Sequence, residues 1–185
     1  MEFKERLIEY IKTHSFLKSD KPVFKLSSGQ MSNFYFDLRR TTLSPEGQYL
    51  IGNLICDKLK ELGLKPKAIG GLTMGADPVA TSVAYCSYLR GTPIEAFTIR
   101  KEPKTHGTMK QIEGNVKKGD DVVIIDDVLT TGKSTIKAIE VANAEGLNIL
   151  CVIVLLDRCE QNGKENIEKM GYPVYSVLTM RDFFN

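Results

Sequence analysis

No two of the four cysteines form a Cys-x-x-Cys pair, no apolar run approaches the length that crosses a bilayer, and neither sign of charge predominates. Each absence narrows the function. Cys56, Cys86 and Cys151 sit among apolar residues, the pattern of buried, reduced thiols in a cytoplasmic protein. Twenty-five basic residues against 23 acidic leave a net charge of +2. Nothing in the whole molecule marks a nucleic-acid or membrane binder, so any anion site must be local. The opening Met-Glu-Phe-Lys-Glu-Arg has no signal-peptide character, and the chain shows no internal repeat or low-complexity segment. What is present is globular composition, 42% hydrophobic and 26% charged over 185 residues, which predicts one domain spanning 1–185.

The stretch 121–135 organises the rest. Val122, Val123, Ile124 and Ile125 form an unbroken β-branched run that reads as a strand buried on both faces. It meets two carboxylates, Asp126 and Asp127, then the loop Val128-Leu129-Thr130-Thr131-Gly132-Lys133-Ser134, then a helical pattern over 132–145. A strand delivering a Thr/Gly/Ser loop to a helix N-terminus is a phosphate cradle, because backbone N–H groups and the positive helix end converge there. Adjacent acids repel a phosphate, so they suit the vicinal hydroxyls of a ribose instead. Gly132-Lys133-Ser134 resembles the end of a triphosphate P-loop, but that motif needs a glycine at 127, where Asp127 stands.

Elsewhere the chain alternates helical and strand patterns. Phe3, Leu7, Tyr10 and Ile11 predict an amphipathic helix over 2–12, with His14 capping its end. Residues 23–38 predict a β-hairpin or a pair of short strands, with Ser28-Gly29 marking the turn, and Ser44-Pro45 opens a helix that stops at Gly63. A short strand over 68–71 leads into Leu72-Thr73-Met74-Gly75-Ala76, with Asp77 expected to cap a helix begun by Pro78. After a strand over 93–99, residues 100–114 carry no apolar periodicity, three prominent cations (Arg100, Lys101, Lys104) and His106, and read as a loop. Apolar strands over 149–156 and 174–178 follow, the first ending at Asp157-Arg158, and residues 179–184 form a terminal helix. The class predicted is α/β, a mostly parallel central sheet with helices on both faces.

Two of these stretches carry a family resemblance. The order Arg-Lys-x-x-Lys-x-His-Gly from Arg100, and the Asp-Asp-Val-Leu-Thr-Thr-Gly loop from Asp126, resemble the catalytic loop and the phosphoribosyl-diphosphate signature of orotate phosphoribosyltransferases. The resemblance implies the type I phosphoribosyltransferase fold, with a small N-terminal hood contributed mainly by 20–40. It implies conversion of orotate and phosphoribosyl diphosphate into orotidine 5′-monophosphate and pyrophosphate, within pyrimidine biosynthesis. Catalytic roles fall to Lys104, His106, Asp126 and Asp127. Phosphoribosyl diphosphate would meet Thr73, Met74 and Gly75, then Arg100, Lys101, Lys104 and His106, and the residues 126–134. Orotate would meet Phe34, Tyr35, Thr130 and Arg158. Mg²⁺ would be carried mainly by substrate rather than by a protein metal site. A homodimer is implied, its 100–115 loop reaching the adjacent active site. Two departures stand out: Ser27 where some members have lysine, and Met74-Gly75 where many carry Tyr-Lys. The alternatives are transfer to another base on the same fold, or a non-catalytic sensor of phosphoribosyl diphosphate.

Overall fold

A computed structural model describes residues 2–25, 29, 31–102 and 111–184. Ser28 of the expected Ser28-Gly29 turn, with Ser27 before it, and Lys104 and His106 in the cationic loop lie outside the described residues.

Helix α1 (Phe3–His14) buries Leu7 and Ile11, and His14 Nδ1 lies 2.9 Å from the Tyr10 carbonyl at its C-terminal end. The hood then holds two small ribbons, where a hairpin or a pair of short strands was expected. Strands β2 (Phe24–Lys25) and β3 (Met31–Ser32) pair antiparallel, while β1 (Phe16–Lys18) pairs antiparallel with β4 (Phe34–Phe36). Three residues are too few to show periodicity, which hid β1 in the sequence. A short helix α2 (Arg39–Thr42) leads to α3 (Pro45–Glu61).

Ser44 caps α3 as its sequence predicts. Its hydroxyl oxygen accepts from the Gly47 N–H at 3.0 Å and its proton goes to the Thr41 carbonyl at 2.8 Å. Ser44→Ala should therefore lower unfolding free energy by about 1 kcal/mol. A urea midpoint equal to the parent's would show that the cap contributes nothing.

The central sheet has the order β10-β9-β8-β5-β6-β7. Its strands are β5 (Ala68–Leu72), β6 (Glu95–Ile99), β7 (Ile112–Gly114), β8 (Asp121–Leu129), β9 (Asn148–Asp157) and β10 (Val174–Thr179). All run parallel except the edge strand β7, antiparallel to β6. Its presence corrects the expectation of a loop through 114. Ile112 is buried, and Arg100 and Gln111 close the base of the loop through a backbone bond of 2.9 Å and a side-chain bond of 2.9 Å.

Helices α3 and α4 (Ala76–Leu89), with α1, cover one sheet face; α5 (Lys133–Ala144) and α6 (Gly163–Glu168) cover the other. Alternation along β8 divides its apolar run between two cores, Val123 and Ile125 in the first and Val122 and Ile124 in the second. A strand buried on both faces must be apolar throughout, so its first polar side chains are its functional end. The chain finishes in a 3₁₀ turn, Met180–Phe183, whose Phe183 returns to the first core.

Candidate active site

The order of strands reverses between β5 and β8, and ligands of such sheets bind outside the strand C-termini at that reversal. There the loop following β5 faces the loop following β8. The latter strand is longer than its apolar run implies, continuing through Asp126 and Asp127 to Leu129 and pairing Asp126 with Val154 and Val128 with Leu156. Successive side chains of a strand point to opposite sides, so the two acids part company.

Asp126 turns inward and is 4% exposed. Its Oδ1 accepts from the Asp127 N–H at 3.0 Å, and its Oδ2 accepts from the Ser134 hydroxyl at 2.6 Å and the Thr135 hydroxyl at 2.8 Å. It thus fixes the first turn of α5 beneath the cradle. Burial, followed by the neighbouring Asp127 charge, pushes its carboxyl well above the ordinary range. Asp127 accepts from the Val128 N–H at 2.8 Å and lines the cleft; burial raises its pKa too.

The cradle itself is built of backbone. Gly132 holds φ at +79°, and a Cβ there would come within 3.1 Å of the Gly163 carbonyl and 3.3 Å of Ile167. Among the described residues the N–H groups of Thr130, Thr131 and Gly132 have no acceptor, which leaves them for an anion. The Asn166 amide holds the loop from behind by donating to the Thr131 carbonyl at 3.3 Å. Lys133 is exposed at the rim. Leu129 was expected among the contacts, but its side chain is buried in the second core and shapes the strand end instead.

Two clefts open on either side of Asp127 and Arg39, which line both. The larger, about 540 Å³, is walled by Thr73, Met74 and Gly75 from the β5 loop and by Lys101 and Ser134 opposite. The smaller, about 360 Å³, is lined by Lys25, Tyr35, Val128, Thr130 and Arg158. Gly75 lies so close that a Cβ would stand 2.5 Å from Asp127 Oδ1, so any larger residue here requires that carboxylate to shift. Arg39 was missing from the sequence-derived set. Its Nε donates to Asp37 at 2.7 Å, a bond that raises its pKa first of all, and Asp127 adds to the effect. The one signal for it was its place in the hood segment, Asp37-Leu38-Arg39.

Arg158 is 7% exposed. Its Nη2 donates to Glu160 at 3.2 Å, while its buried Nε has no acceptor among the described residues. Tyr35 lines the same cleft, but Phe34 does not. Strand alternation sends Phe34 against Phe16 and Phe184, with ring centroids 5.8 and 4.8 Å away. Arg100 also stays out of the larger cleft and pairs with Glu113 at 3.6 Å, whereas Lys101 lines it. Lys137 was not anticipated; its Nζ donates to the Lys101 carbonyl at 2.6 Å and pairs with Glu102 at 3.6 Å, anchoring the entry to the cationic loop. Asp77 does not cap α4 as expected. The helix begins at Ala76, after Gly75, and the carboxylate instead accepts hydroxyls from Thr73 and Thr98.

Known proteins are similar to this chain in sequence and fold. A family model for the phosphoribosyl transferase domain matches residues 44–178. The orotate phosphoribosyltransferase of Aquifex aeolicus is 45% identical over 179 residues, covering 97% of this chain and 96% of its own. That of Sorangium cellulosum is 38% identical, covering 97% and 92%. Among solved structures, the Mycobacterium tuberculosis orotate phosphoribosyltransferase in complex with Fe(III) dicitrate superposes with a TM-score of 0.86 at 34% identity, covering 98% of this chain and 99% of that one. The same enzyme in complex with 5-phospho-α-D-ribosyl 1-diphosphate gives 0.78 at 31% identity, covering 98% and 91%. On these identities and coverages, this chain belongs to the orotate phosphoribosyltransferase family.

Proposed function

We propose that the chain transfers the 5-phosphoribosyl group of phosphoribosyl diphosphate to orotate, releasing pyrophosphate and forming orotidine 5′-monophosphate, a step of UMP synthesis, within one catalytic domain. The observation that carries the choice of orotate is Arg158: a buried guanidinium with an unmet Nε, beside Asp127 and Thr130 in the smaller cleft. A planar donor fork of that kind suits a carboxylate, which purines and uracil lack.

The parts divide the labour by charge. The open N–H groups of 130–132 hold the 5′-phosphate, and Asp127 holds the ribose hydroxyls between the two clefts. Ser134 contributes its backbone rather than its hydroxyl, whose proton is committed to Asp126. Lys101 faces the leaving pyrophosphate from the larger cleft, with Lys104 and His106 completing the cover. As the anomeric carbon loses its bond and turns cationic, the Asp127 carboxylate lies where it stabilises the ribose, while the lysines stabilise the departing charge.

Mg²⁺ fits this site as an ion that arrives on the substrate. Among the described residues no group of three acidic, His or Cys side chains can enclose a metal, and both Asp126 oxygens already accept from protein donors. Asp77, at the edge of the larger cleft, likewise accepts hydroxyls at both oxygens, which leaves Asp127, lining both clefts, to hold the ion's waters. When bound, Mg²⁺ supplies Lewis-acid neutralisation of the pyrophosphate.

A second copy completes the reading. Tyr49, Tyr85, Tyr88 and Leu89 are exposed on α3 and α4, and Gln48 and Thr81 line both the larger cleft and the groove beside these side chains. An apolar face bordering a catalytic cleft is suited to a dimer whose 100–115 loop serves the neighbouring site. Among the described residues no helix is long and apolar enough to cross a membrane.

The test follows orotate's ultraviolet absorbance after addition of phosphoribosyl diphosphate, with and without Mg²⁺. The expected result is a Mg²⁺-dependent loss matched by pyrophosphate release. Turnover with another base alone would overturn the role of Arg158. For the cationic loop, Lys104→Ala should lower turnover by roughly tenfold to a hundredfold with far less effect on orotate binding. Unchanged turnover would remove Lys104 from the mechanism.

A further inference from the structure

The loop that follows β5 has an unusual support. Asp77 is the second residue of α4, half-buried at the edge of the larger cleft. A carboxylate there faces the place where a pyrophosphate would lie, and like charges repel. Such a group is unfavourable unless it performs another task.

Its hydrogen bonds show that task. Asp77 Oδ2 accepts from the Thr73 hydroxyl at 2.6 Å, and Oδ1 accepts from the Thr98 hydroxyl at 2.9 Å. Thr98 lies in β6, paired across to Gly71 of β5. The Thr73 N–H donates to the Ile99 carbonyl, one residue further along β6, at 2.8 Å. Thr73 is therefore tied to β6 twice, by its backbone directly and by its side chain through Asp77. Beyond Ile99, β6 runs into Arg100 and Lys101. One carboxylate thus braces the β5 loop against the strand that carries the cationic loop.

The brace also decides what the loop can offer a ligand. The single proton of the Thr73 hydroxyl is committed to Asp77, so Thr73 presents no side-chain donor to the cleft. Position 75 is glycine and supplies no cation. What remains are the N–H groups of Met74 and Gly75, which have no acceptor among the described residues. Backbone donors work only if the loop is held in register, because they cannot follow a ligand as a lysine side chain can.

We propose that Asp77 is the positioning residue of the pyrophosphate-binding loop, fixing Thr73 so that the Met74 and Gly75 N–H groups are aimed into the cleft. The proposal rests on the function proposed above only in naming pyrophosphate as the ligand. A carboxylate is required because two hydroxyl donors on separate elements need two acceptor oxygens. Asparagine offers one, and its amide would meet the second hydroxyl as a donor.

The experiment titrates inorganic pyrophosphate with Mg²⁺ into the full chain by calorimetry, comparing the parent with Asp77→Asn, Asp77→Ala and Thr73→Val/Asp77→Ala. Asp77→Ala should weaken binding by about tenfold and Asp77→Asn by about threefold, as expected for losing two or one charge-assisted bonds that orient donors. The double variant should match Asp77→Ala, because both residues act through one contact. The KM for orotate should stay within about twofold and the melting temperature within a few degrees, a split that general destabilisation would not give. Pyrophosphate binding equal to the parent's would overturn the proposal, as would a parallel loss of pyrophosphate affinity, orotate affinity and melting temperature. Absence of orotate turnover in the parent would overturn the proposed function instead, and the titration would still decide on Asp77.

Discussion

Asp127→Asn should lower kcat/KM for phosphoribosyl diphosphate by about a thousandfold while leaving the protein at least as stable as the parent. The loss follows from removing the carboxylate that, among the described residues, lines both clefts, at the carbon that becomes cationic; a single preorganised electrostatic group is worth about 10² to 10³ in rate. The stability follows from burial. Two adjacent carboxylates are largely withdrawn from water, and burial raises both pKa values, that of Asp126 to about 7. A folded-state pKa above the unfolded value contributes stability below the ordinary carboxylate range and loses it as pH rises through the folded value. The pair therefore makes the unliganded protein progressively less stable between about pH 4 and 7, relative to a chain without it. Asparagine at 127 removes the second charge, so melting temperatures measured across that window should fall less steeply in the variant. Steady-state kinetics and thermal unfolding on the same preparation check both halves. A variant that is inactive and also several degrees less stable would show that Asp127 serves the fold and not the reaction.

That separation between fold and site governs what could be read from the sequence. The apolar runs of β8 and β9, the capped start of α3 and the helix after the cradle were legible because each is fixed by local pattern: period, cap and β-branched content. The Asp126–Ser134 loop was legible because its residue types have few other uses after a buried strand. What escaped is what depends on contacts between distant segments. Strand β1 exists only because β4 pairs with it, and β7 only because β6 offers an edge. The different tasks of Asp126 and Asp127 arise from strand alternation and from Ser134 and Thr135 closing over one of them. Asp77 has the sequence of a helix cap, Asp before Pro, yet its partner Thr98 is twenty-one residues away. Arg39 and Lys137 look like surface cations until the chain brings Asp127 and Lys101 to them.

Arg158 should prove the determinant of the base. Replacing it by glutamine should lower kcat/KM for orotate by about two to four orders of magnitude, the scale of about 3–5 kcal/mol for losing one member of a buried charge pair. Pyrophosphate binding in the larger cleft should be unaffected, since Arg158 lines only the smaller one among the two. Uracil, which has the same ring without the carboxylate, gives the sharper comparison. The parent should strongly prefer orotate, and Arg158→Gln should shrink the preference by lowering activity with orotate while leaving the poor activity with uracil nearly unchanged. Lysine at 158 should not restore the parent's selectivity, because a point charge cannot reproduce two parallel N–H bonds to a planar group. The guanidinium reaches the cleft already oriented, by the Arg158 N–H bond of 3.0 Å to the Leu129 carbonyl and by Glu160 at Nη2. Its unmet Nε is therefore a donor held in a fixed direction, and selectivity follows from the buried donor left without an acceptor when the wrong base binds. Equal loss with orotate and uracil would mean that Arg158 supports the cleft wall rather than choosing its occupant.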